Sequence, residues 1–313
     1  SGIAKDLTKM SSKSAVKLVA GETQGQLYRW VSLLTGSKNA IKGLGFFLGA
    51  LLLTLVGFQP ALMLLGALVL AALLGAVALI RGDLGAPNRK AKFTQMFSHN
   101  RAVNMLAAAR IFLFGARDVW FVVGLPVFFV SVLGWDFWQA GGFMAAWTIG
   151  YGVVQAATPG LIRRRAEGAH EPDGRTATGL AFGLAAFPAA IALALMNGIA
   201  PALAVVAGLL AFGAVFALNS AVHSYLILAY TDSDKVALNV GFYYMANALG
   251  RLAGTVLSGL LYQLGLLWGP SGGLVACLWA SAVFVLAAGL LSLLLPANAA
   301  PRTKPIPLKD LGE

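Results

Sequence analysis

Charged residues are scarce in this chain. Asp, Glu, Lys and Arg make up only 11% of its 313 residues, whereas 58% of the residues are hydrophobic and the mean hydropathy is +0.78. Soluble domains contain roughly 25% charged residues, so this composition excludes an ordinary soluble protein. Continuous apolar runs long enough to cross a bilayer recur along almost the whole sequence. We therefore predict an all-α, polytopic membrane protein embedded in a lipid bilayer.

Cysteine and the common catalytic motifs are nearly or wholly missing. Cys277 is the single cysteine, so it cannot form a disulfide within the chain and has no second thiol for a metal site. The sequence contains no HExxH or CxxC motif and no Gly-rich phosphate loop ending in GK[ST]. We predict that the protein is not an enzyme and holds neither a metal nor a cofactor.

The apolar runs predict where the helices lie. One helix ends near Val19, and eight complete membrane-spanning helices follow near 27–57, 60–80, 101–131, 137–160, 177–197, 200–230, 236–266 and 271–296.

The connections that carry basic residues predict the orientation of the protein. They are RGDLGAPNRKAKF, RRRAEGAHEPDGR and the tail PRTKPIPLKD. By the positive-inside rule they face the cytoplasm, together with the C terminus. This placement accounts for much of the net charge of +11. A nucleic-acid partner is not expected, because the charge is not gathered on a soluble domain.

The polar connection at 81–100 is the expected boundary between two helical bundles. Residues 1–80 are then the remainder of an N-terminal bundle, 101–297 form a six-helix C-terminal bundle, and 298–313 are a cytoplasmic tail. Transporters built from two such halves commonly hold their substrate near the midplane, where the halves meet. The first segment has too few helices for a matching half, so we expect part of the protein to precede Ser1.

Ionised side chains within the apolar run at 110–121, RIFLFGARDVWF, require an explanation. At the centre of a bilayer each costs about 2.5–3.5 kcal/mol, so such residues persist where they meet partners or water. Arg110 and Arg117 are seven residues apart and share a helix face, where two guanidinium groups could bind one anion. Asp118 could pair with a neighbouring helix or carry a proton. The alternative for all three is a structural charge network that locks helices together.

Lysines spaced by four form a second basic group. Lys5 and Lys9 lie in the first helix, and Lys38 and Lys42 lie in the second. We expect these four lysines to face an aqueous cavity. The alternative is a stripe whose ammonium groups only reach the membrane interface. Asp6 is the local counter-charge.

A polar stripe marks a later helix. Its members are spaced by four and are Tyr243, Asn247 and Arg251. The stripe either faces a cavity or forms a hydrogen-bond ladder between helices. Basic residues outnumber acidic ones within the predicted spans, which favours a small-molecule substrate with several negative charges. A phosphate-like oxyanion fits, because Arg binds it bidentately and Lys binds it as a point charge.

Other polar residues with the same spacing are predicted to be core packing. Asn219 precedes His223 by four positions, and Tyr151 precedes Gln155 by four. For His223 a proton relay is a second interpretation, because imidazole titrates close to neutral pH.

Long segments of the sequence carry a family resemblance. They are SGIAKDLTKMSSKS, LYRWVSLLTGSKNAIKGLGFFLG, ARIFLFGARDVWFVVGLPVFF, GWDFWQAGGFMAAWTIGYG and NALGRLAGTVLSG. Together they resemble the organoarsenical efflux permeases of the major facilitator superfamily, the ArsJ family, over nearly the whole chain. The resemblance implies a twelve-helix fold of two halves in the bacterial inner membrane, with both ends cytoplasmic. This chain would then begin within the fourth helix.

The resemblance also implies a function. The family is associated with arsenate resistance, in which a glyceraldehyde-3-phosphate dehydrogenase makes 1-arseno-3-phosphoglycerate and the permease exports it. We expect Arg110 and Arg117 to bind one oxyanion end of this substrate and the four lysines to bind the other. The polar stripe that ends at Arg251 would add to the same site. The expected coupling is proton antiport, and its candidate residues are Asp118, Asp6 and His223.

Two other functions stay open from the sequence. The first is a major facilitator carrier for another organic phosphate or a drug-like anion. The second is a membrane sensor or scaffold that transports nothing.

Overall fold

The computed structural model describes residues 26–79, 100–163, 171–231 and 235–297. All regular secondary structure in these ranges is helical, which confirms the all-α class. Five segments are long and apolar enough to cross a membrane, and they lie at 58–75, 101–131, 174–196, 201–229 and 272–292. These are the features of a membrane protein that spans the bilayer several times. The predicted helix ending near Val19 lies outside the described residues.

Nine α-helices follow one another in the described ranges. They are α1 (Gln26–Val56), α2 (Phe58–Leu79), α3 (Arg101–Phe121), α4 (Gly124–Ser131), α5 (Phe137–Arg163), α6 (Gly174–Met196), α7 (Pro201–Ala229), α8 (Val236–Gly265) and α9 (Gly272–Ser292). A short 3-10 turn, Leu266–Trp268, continues α8 toward α9.

The single helix predicted over 101–131 is in fact two helices, α3 and α4. The helix is interrupted at Val122 and Val123, although the Val122 N–H still donates to the carbonyl oxygen of Asp118 at 3.4 Å. Ser258 Oγ of α8 accepts hydrogen bonds from the backbone N–H groups of Val123 at 3.2 Å and Gly124 at 3.1 Å. These bonds satisfy donors that would otherwise be unpaired inside an apolar environment. The break itself has a local cause, because Pro126 has no N–H to donate to the Val122 carbonyl oxygen and its ring clashes with that carbonyl. Ser258 supplies the acceptor for the donors at the break.

The helices pack into one bundle in which α3 has a central position. The helix α3 packs against α8 and α9, α6 packs against α7 and α9, and α5 packs against α7. The helix α1, which the sequence assigns to the first bundle, lies along α5 of the second. Most side chains of α2 are exposed and apolar, as expected of a helix that meets lipid.

The helices α3 and α8 cross at close range because α8 has glycines at the crossing. A Cβ atom at Gly250 would meet the carbonyl oxygen of Ile111, and one at Gly254 would lie 2.6 Å from the carbonyl oxygen of Gly115. Small residues at such crossings allow two backbones to approach each other in a membrane. This contact brings the polar stripe of α8 against the charged residues of α3.

Aromatic side chains fill the space between α3, α5 and α7. Trp147 stacks on Tyr151 with 5.7 Å between ring centroids, and Trp120 packs edge-on against Trp147 and Phe212. The indole N–H of Trp147 donates a hydrogen bond to the carbonyl oxygen of Leu209 at 2.8 Å. Large aromatic groups with a satisfied polar atom form a rigid core, and here that core lies beside the buried charges.

Candidate functional site

Polar side chains from five helices meet in the interior of the bundle. We call this group the Arg110 cluster, and its members are Asn39 of α1, Arg110 of α3, Tyr151 and Gln155 of α5, Ser220 of α7 and Asn247 of α8. Polar side chains that hydrogen-bond across several helices are expensive to assemble inside an apolar protein. The cluster is therefore a candidate functional site.

Arg110 is a buried cation whose hydrogen-bond partners in the described part of the chain are all neutral. Its side chain is almost wholly enclosed, with 4% of the residue exposed. Its Nε donates to Asn247 Oδ1 at 3.1 Å, and its Nη1 donates to Ser220 Oγ at 3.2 Å and to the Ser220 carbonyl oxygen at 3.4 Å. Within the described residues no carboxylate lies at salt-bridge distance from it. Such burial without a counter-ion carries a large desolvation cost.

Two aromatic rings stabilise the Arg110 charge from the sides. Its guanidinium carbon lies 3.7 Å from the ring centroid of Phe114 and 4.9 Å from that of Tyr243. Ring faces carry partial negative charge and attract cations. Phe114 and Tyr243 thus offset part of the desolvation cost, and they do so without neutralising the charge.

Ser220 is the point at which the Arg110 cluster converges. Tyr151 Oη donates to Ser220 Oγ at 2.9 Å, and Gln155 Nε2 donates to the same oxygen at 3.2 Å. Asn39 Nδ2 in turn donates to Gln155 Oε1 at 2.6 Å. One hydroxyl oxygen therefore has Arg110, Tyr151 and Gln155 around it, and the chain of hydrogen bonds continues to α1.

Asp118 forms an ion triad with two arginines. Its Oδ1 accepts a hydrogen bond from Arg117 Nε at 2.6 Å and also contacts Arg117 Nη2, and its Oδ2 accepts one from Arg251 Nε at 2.8 Å. Asp118 is fully buried, whereas the Arg251 side chain is 42% exposed. Of the two roles considered for Asp118, pairing with a neighbouring helix is the one present in this conformation. Its role as a proton carrier stays a prediction.

Arg110 and Arg117 both lie near the Phe114 ring and have different environments. The Arg117 guanidinium carbon is 5.1 Å from that ring centroid, and the rings of Phe121 and Phe216 are 5.9 and 5.7 Å away. Because Arg117 has a carboxylate partner and Arg110 has none in the described residues, the two are not an equivalent pair.

The remaining predicted site residues are spread over several locations. Lys38 and Lys42 are exposed on α1. His223 is fully buried on α7, and no described residue forms a hydrogen bond with either ring nitrogen. The residues Lys5, Asp6 and Lys9 lie outside the described residues. The structure therefore brings Tyr243 and Asn247 to Arg110, and it brings Arg251 to Asp118.

Four members of the Arg110 cluster are not among the site residues predicted from the sequence. The sequence predicts Tyr151 and Gln155 to be core packing, and both residues are buried. Their side chains also donate hydrogen bonds to Ser220 Oγ, from Tyr151 Oη and Gln155 Nε2. Their spacing by four was the available signal, and it does not say which helix lies opposite. The sequence gives less indication of Asn39, because it lies between Lys38 and Lys42 and the pattern there is dominated by the two lysines. For Ser220 the sequence offers no such signal.

Contacts near the C-terminal end of α7 close one side of the bundle. Tyr225 Oη donates a hydrogen bond to Glu171 Oε2, and Tyr230 Oη donates to the carbonyl oxygen of Pro296 at 3.1 Å. Asn100 Nδ2 donates to the carbonyl oxygen of Tyr230 at 2.7 Å. These contacts tie the ends of α3, α7 and α9 together, on the side that the basic connections predict to be cytoplasmic.

Comparison with known proteins assigns no family to this chain. No family model matches it, and no curated protein matches it. The resemblance to the organoarsenical efflux permeases therefore stays a prediction. The functional conclusion depends on the chemistry of the Arg110 cluster.

Proposed function

We propose that the protein is a secondary active transporter that moves an organic oxyanion across the membrane by alternating access. The observation that supports this most strongly is the buried guanidinium of Arg110, whose hydrogen-bond partners among the described residues are all neutral. A permanent cation in that environment is costly unless an anion joins it. A bound oxyanion would supply the missing charge and accept bidentate hydrogen bonds.

The position of Arg110 along its helix supports a transport site. It lies nine residues after the start of α3, which is roughly 14 Å at the rise of an α-helix. That distance is about half the thickness of the hydrocarbon core. Carriers of this general architecture bind their substrates near the midplane. A site at this depth must open to each side in turn, and the contacts of Tyr225 and Tyr230 are the ones that would separate on the predicted cytoplasmic side.

We propose 1-arseno-3-phosphoglycerate, exported to give arsenate resistance, as the substrate. The sequence resemblance supports this choice, and the substrate's two anionic ends suit two basic sites. The Arg110 cluster is one such site. Lys38 and Lys42 are the second, because they lie on α1 on either side of Asn39, whose side chain reaches the cluster through Gln155. The functional partner is then the glyceraldehyde-3-phosphate dehydrogenase that makes the compound.

Arsenate resistance in cells tests this function. Bacteria without their own arsenic efflux would carry the gene alone, the dehydrogenase gene alone, or both, and growth on arsenate and retained arsenic would be measured. Resistance with low retained arsenic only when both genes are present is the expected result. Flux of other organic phosphates without resistance would instead identify the broader carrier, and no flux of any anion would point to a sensor or scaffold.

A matched pair of variants ties the function to the site. Arg110→Gln should abolish resistance, because the buried cation is removed. Arg101→Gln removes a cation from an exposed position on the same helix and should leave resistance unchanged. Membrane abundance of both variants would be compared by immunoblot. A fall in the abundance of Arg110→Gln that accounts for its loss of resistance would assign Arg110 a structural role.

A further inference from the structure

We propose that one oxyanion group of the substrate is bound by Arg110, Tyr151 and Gln155 together, at the place where their donors now converge on the Ser220 hydroxyl. This inference rests on the proposed transport function and names the residues of its binding site. Tyr151, Gln155 and Ser220 are thereby binding residues, although sequence reasoning treats the two α5 residues as core. The ligand chemistry is that of a phosphate or arsenate group.

The convergence of donors is the first step. Arg and the amide nitrogen of Gln can only donate, and the Tyr hydroxyl also donates here. All three meet one neutral hydroxyl oxygen, which has only two lone pairs. An anionic oxygen accepts more hydrogen bonds and forms stronger ones with the same donors. The group is therefore better matched to an oxyanion than to the serine it now contacts.

The unused donors of Arg110 are the second step. Its Nε and Nη1 make hydrogen bonds to Asn247 and Ser220, whereas Nη2 makes none with the described residues. A guanidinium offers two parallel N–H groups to one oxyanion. Nη2 and Nη1 together supply such a pair, provided that Nη1 exchanges its contact with Ser220 for a ligand oxygen.

Asn39 is a positioning residue for Gln155. Because Asn39 Nδ2 donates to Gln155 Oε1, the carbonyl end of the Gln155 amide is held toward α1 and the Nε2 donor faces Ser220. An amide rotated the other way would present an oxygen to the anion and repel it. The hydrogen bond therefore sets the sign of the partial charge that Gln155 brings to the site. It also links the site to α1, where Lys38 and Lys42 lie.

Equilibrium binding of 3-phosphoglycerate to the purified full chain in lipid nanodiscs tests the inference. Tyr151→Phe removes one donor and keeps the ring that stacks on Trp147. The dissociation constant should rise roughly tenfold or more, as expected for the loss of a hydrogen bond to a charged group. Tyr262→Phe is the control, since it removes a buried hydroxyl of α8 that contacts Ser131. Tyr262 lies roughly 22 Å along α8 from Asn247. The Tyr262→Phe variant should therefore bind 3-phosphoglycerate with the same dissociation constant as the unchanged protein.

Gln155→Glu is the second variant. The carboxylate replaces a donor with an anion beside Arg110 and should abolish binding, while the thermal stability of the protein stays the same or rises because Arg110 gains a counter-ion. Binding at the original strength by both Gln155→Glu and Tyr151→Phe would overturn the inference. A purified protein that binds neither 3-phosphoglycerate nor inorganic arsenate would overturn the transport function itself, which distinguishes the two failures.

A double-mutant cycle tests the role of Asn39. If Asn39 acts through Gln155, Asn39→Ala should weaken binding in the unchanged protein and have no further effect in the Gln155→Ala background. Equal losses in both backgrounds would show that Asn39 acts in another way and would remove it from the proposal.

Discussion

Arg251 Nε of α8 donates a hydrogen bond to Asp118 Oδ2 of α3 at 2.8 Å, while Arg117 binds the other oxygen of the same carboxylate. Asp118 is therefore the shared anion of two cations on two helices. Arg110, two turns earlier on α3, has no such partner among the described residues. The same helix thus carries one arginine with a carboxylate partner and one with none among the described residues, and the two should respond differently to substitution.

Removing the shared carboxylate should destabilise the protein. Asp118→Asn leaves the charge of Arg117 buried without an anion, and breaking a buried pair in this way costs about 3–5 kcal/mol. The cost should lie near the lower end, because Arg251 is partly exposed. Thermal unfolding in detergent, followed by size-exclusion chromatography, would measure it.

Asp136→Asn is the control for that variant. Asp136 is exposed and its Oδ1 accepts the backbone N–H of Gln139 at 2.7 Å. Asn caps helices as well as Asp does, so the melting temperature should not change. If Asp118→Asn were as stable as Asp136→Asn, the triad would not be holding α3 and α8 together.

The close crossing of α3 and α8 predicts a difference between two identical substitutions. Gly250→Ala places a methyl group against the backbone of Ile111, where no flexible side chain can move aside. Overpacking of this kind costs about 1–3 kcal/mol. Gly259→Ala on the same helix meets nothing within 4 Å and should be neutral or slightly stabilising, because alanine favours the helix. Equal melting temperatures for the two variants would contradict the crossing.

A single hydroxyl group satisfies the backbone donors at the break between α3 and α4. Ser258→Ala leaves the N–H groups of Val123 and Gly124 without their acceptor, and buried unsatisfied donors cost about 1–3 kcal/mol. These two amides should exchange hydrogen faster, as measured by mass spectrometry. Ser281→Ala is the control, because Ser281 Oγ is buried with no hydrogen-bond partner in the described residues. Unchanged exchange at 123–124 in Ser258→Ala would show that Ser258 does not protect these two amides.

Helix positions were predictable from the sequence because apolar length and continuity decide them. The prediction of one continuous helix over 101–131 was wrong because it overlooked Pro126, which has no N–H to donate to the Val122 carbonyl oxygen and whose ring clashes with that carbonyl. What the local sequence does not reveal is that the N–H groups of Val123 and Gly124 find their acceptor in Ser258 of α8.

For the site, residue spacing predicts which side chains share a helix face, but it does not predict their partners on other helices. Spacing by seven places Arg110 and Arg117 on one face, and both do contact the Phe114 ring. Their different electrostatic environments depend on Asp118, whose second partner, Arg251, comes from another helix. In the same way the spacing of Tyr151 and Gln155 was visible, whereas their convergence on Ser220 required the packing of α5 against α7.

Uptake of radiolabelled 3-phosphoglycerate into proteoliposomes tests the central claim, that Arg110 is the cation of a transport site, most directly. The purified full chain should exchange labelled for unlabelled substrate. Arg110→Gln should lose the exchange, and Arg110→Lys should lose most of it, because a point charge cannot replace the bidentate fork. Arg101→Gln should exchange as the unchanged protein does. Undiminished exchange by a correctly inserted Arg110→Gln protein would contradict the account.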